Sequence, residues 1–184
     1  RFVVNTSNEN GVGYVANSSG TGSNNTAVGA EAAEGVIGAS TFSNTVAVGY
    51  QALTALTTGA NNTAIGYQAG DSVLAGTDNT FLGYRTDIVN GNNSFNTVIG
   101  SLAAVNSNSN RMTAVGYQAK SGGNSVSLGA QSGNISAGSS VAIGYQAGNG
   151  TGGNNVSIGN TAHTNSSGTN NVSVGSGANR QTSG

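Results

Sequence analysis

Few residues of this 184-residue chain have side chains able to do acid, base or ligand chemistry: one histidine, His163, and six acids, Glu9, Glu31, Glu34, Asp71, Asp78 and Asp87. A hydrolytic triad needs a nucleophile, a base within hydrogen-bond reach and an acid that orients the base. His163 stands in "NTAHTNSSGTN", with no nucleophile motif and no carboxylate near it in sequence. The corresponding place in other copies of a repeat described below holds Leu53, Gly70, Lys120, Gly133, Gly148 and Asn179, so His163 reads as a variable loop position. The acids fall in the first half of the chain, and their spacing gives no support to a carboxylate pair for glycoside cleavage. Asp71 and Asp78 sit where an inter-coil loop would take calcium, but the aspartate-bearing nonapeptide of calcium β-rolls is absent, which makes them solvated turn acids. Cysteine is absent, removing disulfides and thiolate chemistry together. The expectation is a protein with no catalytic residues, no metal and no cofactor.

The elements that would position any site must be built from an unusual composition: 6% charged residues, 31 glycines, and no proline or tryptophan. A net charge of -1, with the five basic residues scattered as Arg1, Arg85, Arg111, Lys120 and Arg180, offers no footprint for a polyanion, so nucleic acid is not an expected partner. Apolar runs are only a few residues long, which excludes a helical membrane span. The first residues lack the pattern of a signal peptide, and an export signal would have to lie outside them. Chains this rich in Gly, Asn, Ser and Thr are often disordered, because they bury too little apolar surface to offset roughly 1–2 kcal/mol of backbone entropy per residue.

Periodicity argues for order instead. A glycine recurs at Gly29, Gly49, Gly66, Gly83, Gly100, Gly116, Gly129, Gly144, Gly159 and Gly175, at intervals of 13 to 20 residues, with Gly13 as a weaker copy. One place before it stand Val28, Val48, Ile65, Leu82, Ile99, Val115, Leu128, Ile143, Ile158 and Val174. Three places before it stand only Thr or Val, and three places after it eight of ten copies carry alanine. Residues two apart on a strand share a face. Thr63 and Ile65 are therefore expected to point inward, with Gly66 at a bend and the Asn-rich stretches forming turns. The residue between them, as in Ala27, Ala47, Ala64, Ala114 and Ala142, with Phe81 and Val98 as exceptions, is expected to face outward and pack against neighbouring copies of the chain.

A unit near 16 residues fits two short strands and two turns, which gives an all-β parallel β-roll, or solenoid, of about ten to eleven coils. Residues 1–24 form a lead-in with one degenerate repeat, residues 25–179 the repeat domain, and residues 180–184 an exit segment. The six tyrosines, Tyr14, Tyr50, Tyr67, Tyr84, Tyr117 and Tyr145, each follow a repeat glycine and make a broken structural column.

"SVSLG", "VAIG" and "NVSVG" followed by alanine resemble the head repeats of trimeric autotransporter adhesins of the YadA type. The C-terminal "NNVSVGSGANRQ" is similar to the place where such heads pass into a neck, with Arg180 and Gln181 as the matching pair, although "TSG" does not continue the neck pattern. The resemblance covers about Asn25 to Gln181. It implies a left-handed coil, an intertwined or side-by-side homotrimer, and an extracellular rod held at a bacterial surface through a missing C-terminal anchor, touching a host-surface or matrix protein or glycan without itself contacting a membrane. The wording "NTAxGYQA" also resembles repeats of bacteriophage tail fibres, which implies a virion fibre that recognises a host receptor; a tailspike-like glycan hydrolase is the third alternative. Departures from the repeat mark where a ligand would bind. On that ground Glu31, Glu34, Arg85, Asp87 and Arg111, which put charge on a neutral surface, are the candidate contacts.

Overall fold

In the computed structural model, residues 9–12, 21–36, 39–88, 91–104, 107–133, 139–150, 152–164 and 167–179 are described. They carry eleven strands: β1 (Glu9–Val12), β2 (Asn25–Val28), β3 (Val46–Val48), β4 (Thr63–Ile65), β5 (Thr80–Leu82), β6 (Thr97–Ile99), β7 (Thr113–Val115), β8 (Val126–Leu128), β9 (Val141–Ile143), β10 (Val156–Ile158) and β11 (Val172–Val174). All belong to one parallel sheet, in chain order. A parallel pair cannot be closed by a hairpin, so each strand must be followed by a loop that returns the chain to its starting side one rung higher. The result is an all-β parallel solenoid. Val12 pairs with Val28, which puts the degenerate first copy in register, while Gly13, Tyr14 and the Arg180–Gln181 pair lie outside the described residues.

Register follows the repeat glycine throughout. Val28 pairs with Val48 across the 20-residue interval and Val115 with Leu128 across the 13-residue one, so these differences are absorbed in the loops and leave the ladder undisturbed. Each repeat glycine adopts a positive φ, such as 138° at Gly66, and from Gly49 onward each donates its N–H to the rung before it, Gly66 to the carbonyl of Val48 at 2.8 Å. A Cβ on Gly66 would collide with the carbonyl of Gly83, and the same clash recurs between most successive glycines of the column. These glycines thus answer two demands, a left-handed backbone and a backbone stacked directly on the one below.

The expected alternation along each strand is present, but its phase is reversed. Ala64 is fully buried, whereas Ile65 is 41% exposed and Thr63 lies half-exposed beside it on the outer surface. Ala27, Ala47, Ala114 and Ala142 are buried likewise, and Phe81 and Val98, expected on the outside, are interior residues. The physical reason is the width of the coil. Its interior must also hold the alanine three places after the glycine, as in Ala52 and Ala69, and the Asn, Ser or Thr four places before it, as in Asn62 and Thr45. A narrow interior crossed by three such columns leaves room for alanine, and the larger aliphatics point outward. Phe81 fits because Gly70 stands opposite it: a Cβ on Gly70 would approach the Phe81 ring at 2.9 Å. Leu53, Leu56, Val73, Ile88 and Phe42 fill the return side.

Buried asparagines link the rungs. Asn79 donates to the Asn62 side-chain oxygen from both its backbone and its side chain, at 3.1 and 3.0 Å, and Asn96 repeats this on Asn79 at 3.0 Å. The Asn62 amide itself donates to the carbonyl of Gly76 at 2.8 Å. Each buried amide thereby satisfies the turn backbone of the next coil, which would otherwise cost about 1–3 kcal/mol per unmet group.

Candidate functional site

Three longitudinal columns on the outside, and two isolated side chains on the return side, bear on function. The first column is the aliphatic one. Val28, Ile65, Leu82, Leu128, Ile143, Ile158 and Val174 are exposed, and Val48, Ile99 and Val115 are half-exposed, so an apolar stripe runs along ten rungs of the sheet. The Thr or Val three places before the glycine lies beside it on the same outer face.

The second column follows the glycine. Tyr50, Tyr67 and Tyr84 are exposed and stack with ring centroids 5.3 and 5.4 Å apart. One residue further on, Gln68 donates to Gln51 at 2.8 Å and Gln51 to Glu31 at 2.6 Å; a second run joins Gln146, Gln131 and Gln118. Glu31 is therefore the acceptor that ends a glutamine ladder. Arg85, with φ of 48°, and Leu102, with φ of 57°, occupy the same column and break it.

The third column lies five places before the glycine, at the turn that leads into each strand. Asn24, Asn44, Asn61, Asn124, Asn154 and Asn170 hold it with φ between 55° and 62°. Asparagine tolerates this left-handed conformation better than other residues with a side chain. On three successive rungs it is replaced by Asp78, Phe95 and Arg111, with φ of 59°, 63° and 56°. Asp78 accepts from Asn61 at 3.0 Å, and the Arg111 guanidinium carbon lies over the Phe95 ring, 5.7 Å from its centroid. Phe95 and Asp78 were missed as candidates; the signal is in the sequence, and aligning the copies five places before the glycine exposes it.

The candidate contacts do not converge. Glu31 and Arg85 belong to the glutamine column, Arg111 to the turn column, and Glu34 is half-buried in the return of its coil. Asp87 is half-buried on the return side, where the Ser72 N–H donates to it at 3.4 Å and the Asp71 carboxyl lies beside it. Burial first, and the neighbouring Asp71, push the Asp87 carboxyl up to about 7. Asp71 lies half-exposed in a turn beside Asp87, and Asp78 is exposed as expected. Among the described residues no group of three or more His, Asp or Glu is placed to hold a metal.

A group whose folded pKa is raised binds more protons folded than unfolded, so the stability it contributes is complete below about 4 and is lost as pH rises through about 7. This carboxyl is expected to lower the melting temperature from pH 5 to pH 8, a contribution read as the difference in pH slope between the wild type and Asp87→Asn. Equal slopes in the two proteins would show that the carboxyl is not buried as described.

His163 stands in a turn between strands, as expected, but is buried there. It is 2% exposed, and its ring lies between the Asn155 and Asn179 side chains, at 3.4 and 2.9 Å. Burial lowers its pKa, so the folded state favours the neutral ring. The associated stability is complete above about 6.5 and is lost as pH falls below it. His163→Leu, which installs the residue found at the equivalent Leu53, is expected to remove that acid-side loss, read as the difference in melting temperature between pH 7.5 and pH 5. An unchanged difference would contradict the buried neutral ring.

Compared with protein-family models, with curated proteins and with solved structures, the chain matches none.

Proposed function

We propose that this chain is a non-catalytic attachment rod, the head of a trimeric adhesin that binds a host cell, matrix or other surface. The observation that carries the reading is the exposed aliphatic stripe that runs along ten rungs of a chain with few charges. A stripe of this length is larger than the apolar patches monomeric proteins normally leave in water. It is also straight and repeats with each rung at about 4.8 Å, so its natural complement is a second surface with the same rise. A parallel copy of the chain supplies that rise. The YadA-type resemblance of the repeats supports three copies, which place three stripes around one axis and remove all of them from water.

This corrects the assembly surface expected from the sequence. The alanine column cannot meet a neighbour because it is inside the coil; the Val, Ile and Leu column takes that role. Three copies of a repetitive outer surface give avidity to weak contacts, which suits attachment. The "NTAxGYQA" wording supports the same rod as part of a bacteriophage tail fibre recognising a host receptor. Light scattering after size exclusion tests the assembly, with an expected mass three times that of the 17.9 kDa chain. Immobilised protein is expected to retain target cells. A stable monomer at micromolar concentration overturns the trimer, and release of oligosaccharide from incubated capsular polysaccharide overturns the non-catalytic assignment.

A further inference from the structure

The turn column departs from asparagine at Asp78, Phe95, Arg111 and Ser139, and among these Phe95 is the large apolar side chain. Phe95 holds a left-handed backbone, φ 63°, which a bulky side chain adopts only under strain, and its ring is 54% exposed. Asparagine at the equivalent place in six other coils makes the same turn without either cost. An outlier that is both strained and solvent-facing is the kind of position function retains. Its neighbours on the adjoining rungs depart from asparagine as well. Arg111 lies over the ring from one adjoining rung, and Asp78 stands exposed on the rung to the other side, accepting from Asn61. Asn92, Asn108 and Asn110 are exposed in the same turns. The backbone under the patch is held firmly: Ser94 N–H donates to the Asn110 side chain at 2.5 Å, Thr77 N–H to Ser94 Oγ at 2.9 Å, and Phe95 N–H to the carbonyl of Thr77 at 3.0 Å.

We propose that Asp78, Phe95 and Arg111 form a saccharide-binding site, with one hexopyranose ring stacked on the open face of Phe95 and its hydroxyls bonded to Asp78 and Arg111. An aromatic face has negative quadrupole charge and attracts the C–H face of a sugar ring. A carboxylate accepts from hydroxyls and a guanidinium donates to them, so the two charges read neighbouring hydroxyls with opposite polarity. Arg111 also polarises and orients the ring it covers. The patch spans two rung intervals, about 10 Å, which matches one or two sugar units. A protein partner would require roughly 800 Å² with an apolar centre, and a single aromatic among asparagines and serines does not provide that.

The site deepens the attachment reading and rests on it for its biological meaning. Its test uses the wild-type rod and Phe95→Asn on an array of hexose-terminated glycans, followed by titration with the strongest glycan, together with size exclusion and thermal melting. Phe95→Asn restores the residue of the column, so it should melt at or above the wild-type temperature with unchanged oligomeric state, while losing at least tenfold in glycan affinity. Asp78→Asn should lose affinity by a smaller factor. The proposal is overturned if the wild type binds no glycan, if Phe95→Asn binds equally well, or if Phe95→Asn changes the oligomeric state and so places the ring in a subunit contact. Adhesion to glycosidase-treated cells that is lost in Phe95→Asn would assign the patch to a protein ligand and also overturn it. A wild-type rod that holds cells but binds no glycan removes this site and leaves the attachment reading standing; failure to hold cells removes the attachment reading.

Discussion

Gly66→Val is expected to destabilise the rod by about 4 kcal/mol, the sum of backbone strain and a steric clash that has nowhere to relax. The φ of 138° at Gly66 is one that side chains oppose, and a Cβ there meets the carbonyl of Gly83, which is itself fixed by the next rung. A flexible side chain can yield to a neighbour, but a stacked backbone cannot move without shifting the coil above. The damage is also placed where it interrupts coupling between coils on either side, and in a repeat rod those couplings carry much of the stability. Gly175→Val is the informative control. Gly175 has the same kind of φ, 123°, but a Cβ there would meet nothing within 4 Å, so only the strain remains, about 1–3 kcal/mol. Urea unfolding of both variants measures the difference. Equal losses would mean that the stacked glycines are not the constraint described.

Ile65→Asp has the largest expected effect on assembly, and the reversed phase of the strand sets its character. With Ile65 outside, an aspartate at this place leaves the coil intact but, in the proposed trimer, puts a carboxylate in each of the copies that would meet along the stripe. Burying such charges together is costly. The association constant should fall at least 100-fold, which corresponds to about 3 kcal/mol. Size-exclusion light scattering should show mass approaching 17.9 kDa at concentrations where the wild type is assembled, with the β-sheet circular dichroism retained. Ala64→Asp, one residue earlier, should lose that dichroism, because Ala64 is fully buried. An Ile65→Asp variant that unfolds, or one that assembles like wild type, would contradict the placement of the stripe.

Much of the fold was legible in the sequence because three columns of residues hold their spacing against the glycine while the loops between vary. That spacing gives the strand, the bend, the parallel register and the repeat unit. It does not give the phase. Alternation is symmetric: Thr63 and Ile65 inward with Ala64 outward has the same period as the reverse, and the general preference for burying large aliphatics points the wrong way here. What decides is the interior width, set by columns far apart in the repeat, Asn62 and Ala69 among them, whose convergence is a property of the closed coil. The same limitation hid His163 and Asp87. Both sit four places after the glycine, a column that turns inward on the return side, and its variability in the sequence gives the impression of an exposed loop. The candidate contacts were chosen for their charge, and charge alone scattered them over three faces. Phe95 carried none and was passed over, although its departure from asparagine is visible in the alignment of the copies.

Since successive coils stack glycine backbone on glycine backbone, a coil inserted or deleted whole preserves the column and the ladder where its interior side chains suit its new neighbours, as Gly70 suits Phe81: its glycine finds the same carbonyl, and its strand the same register. Loop lengths already vary from coil to coil without disturbing either. Gain or loss of one unit therefore changes length by a single rung, and moves a feature such as Phe95 along the axis while keeping it on its own edge. Gene-level duplication can in this way adjust how far such a rod reaches independently of what it displays.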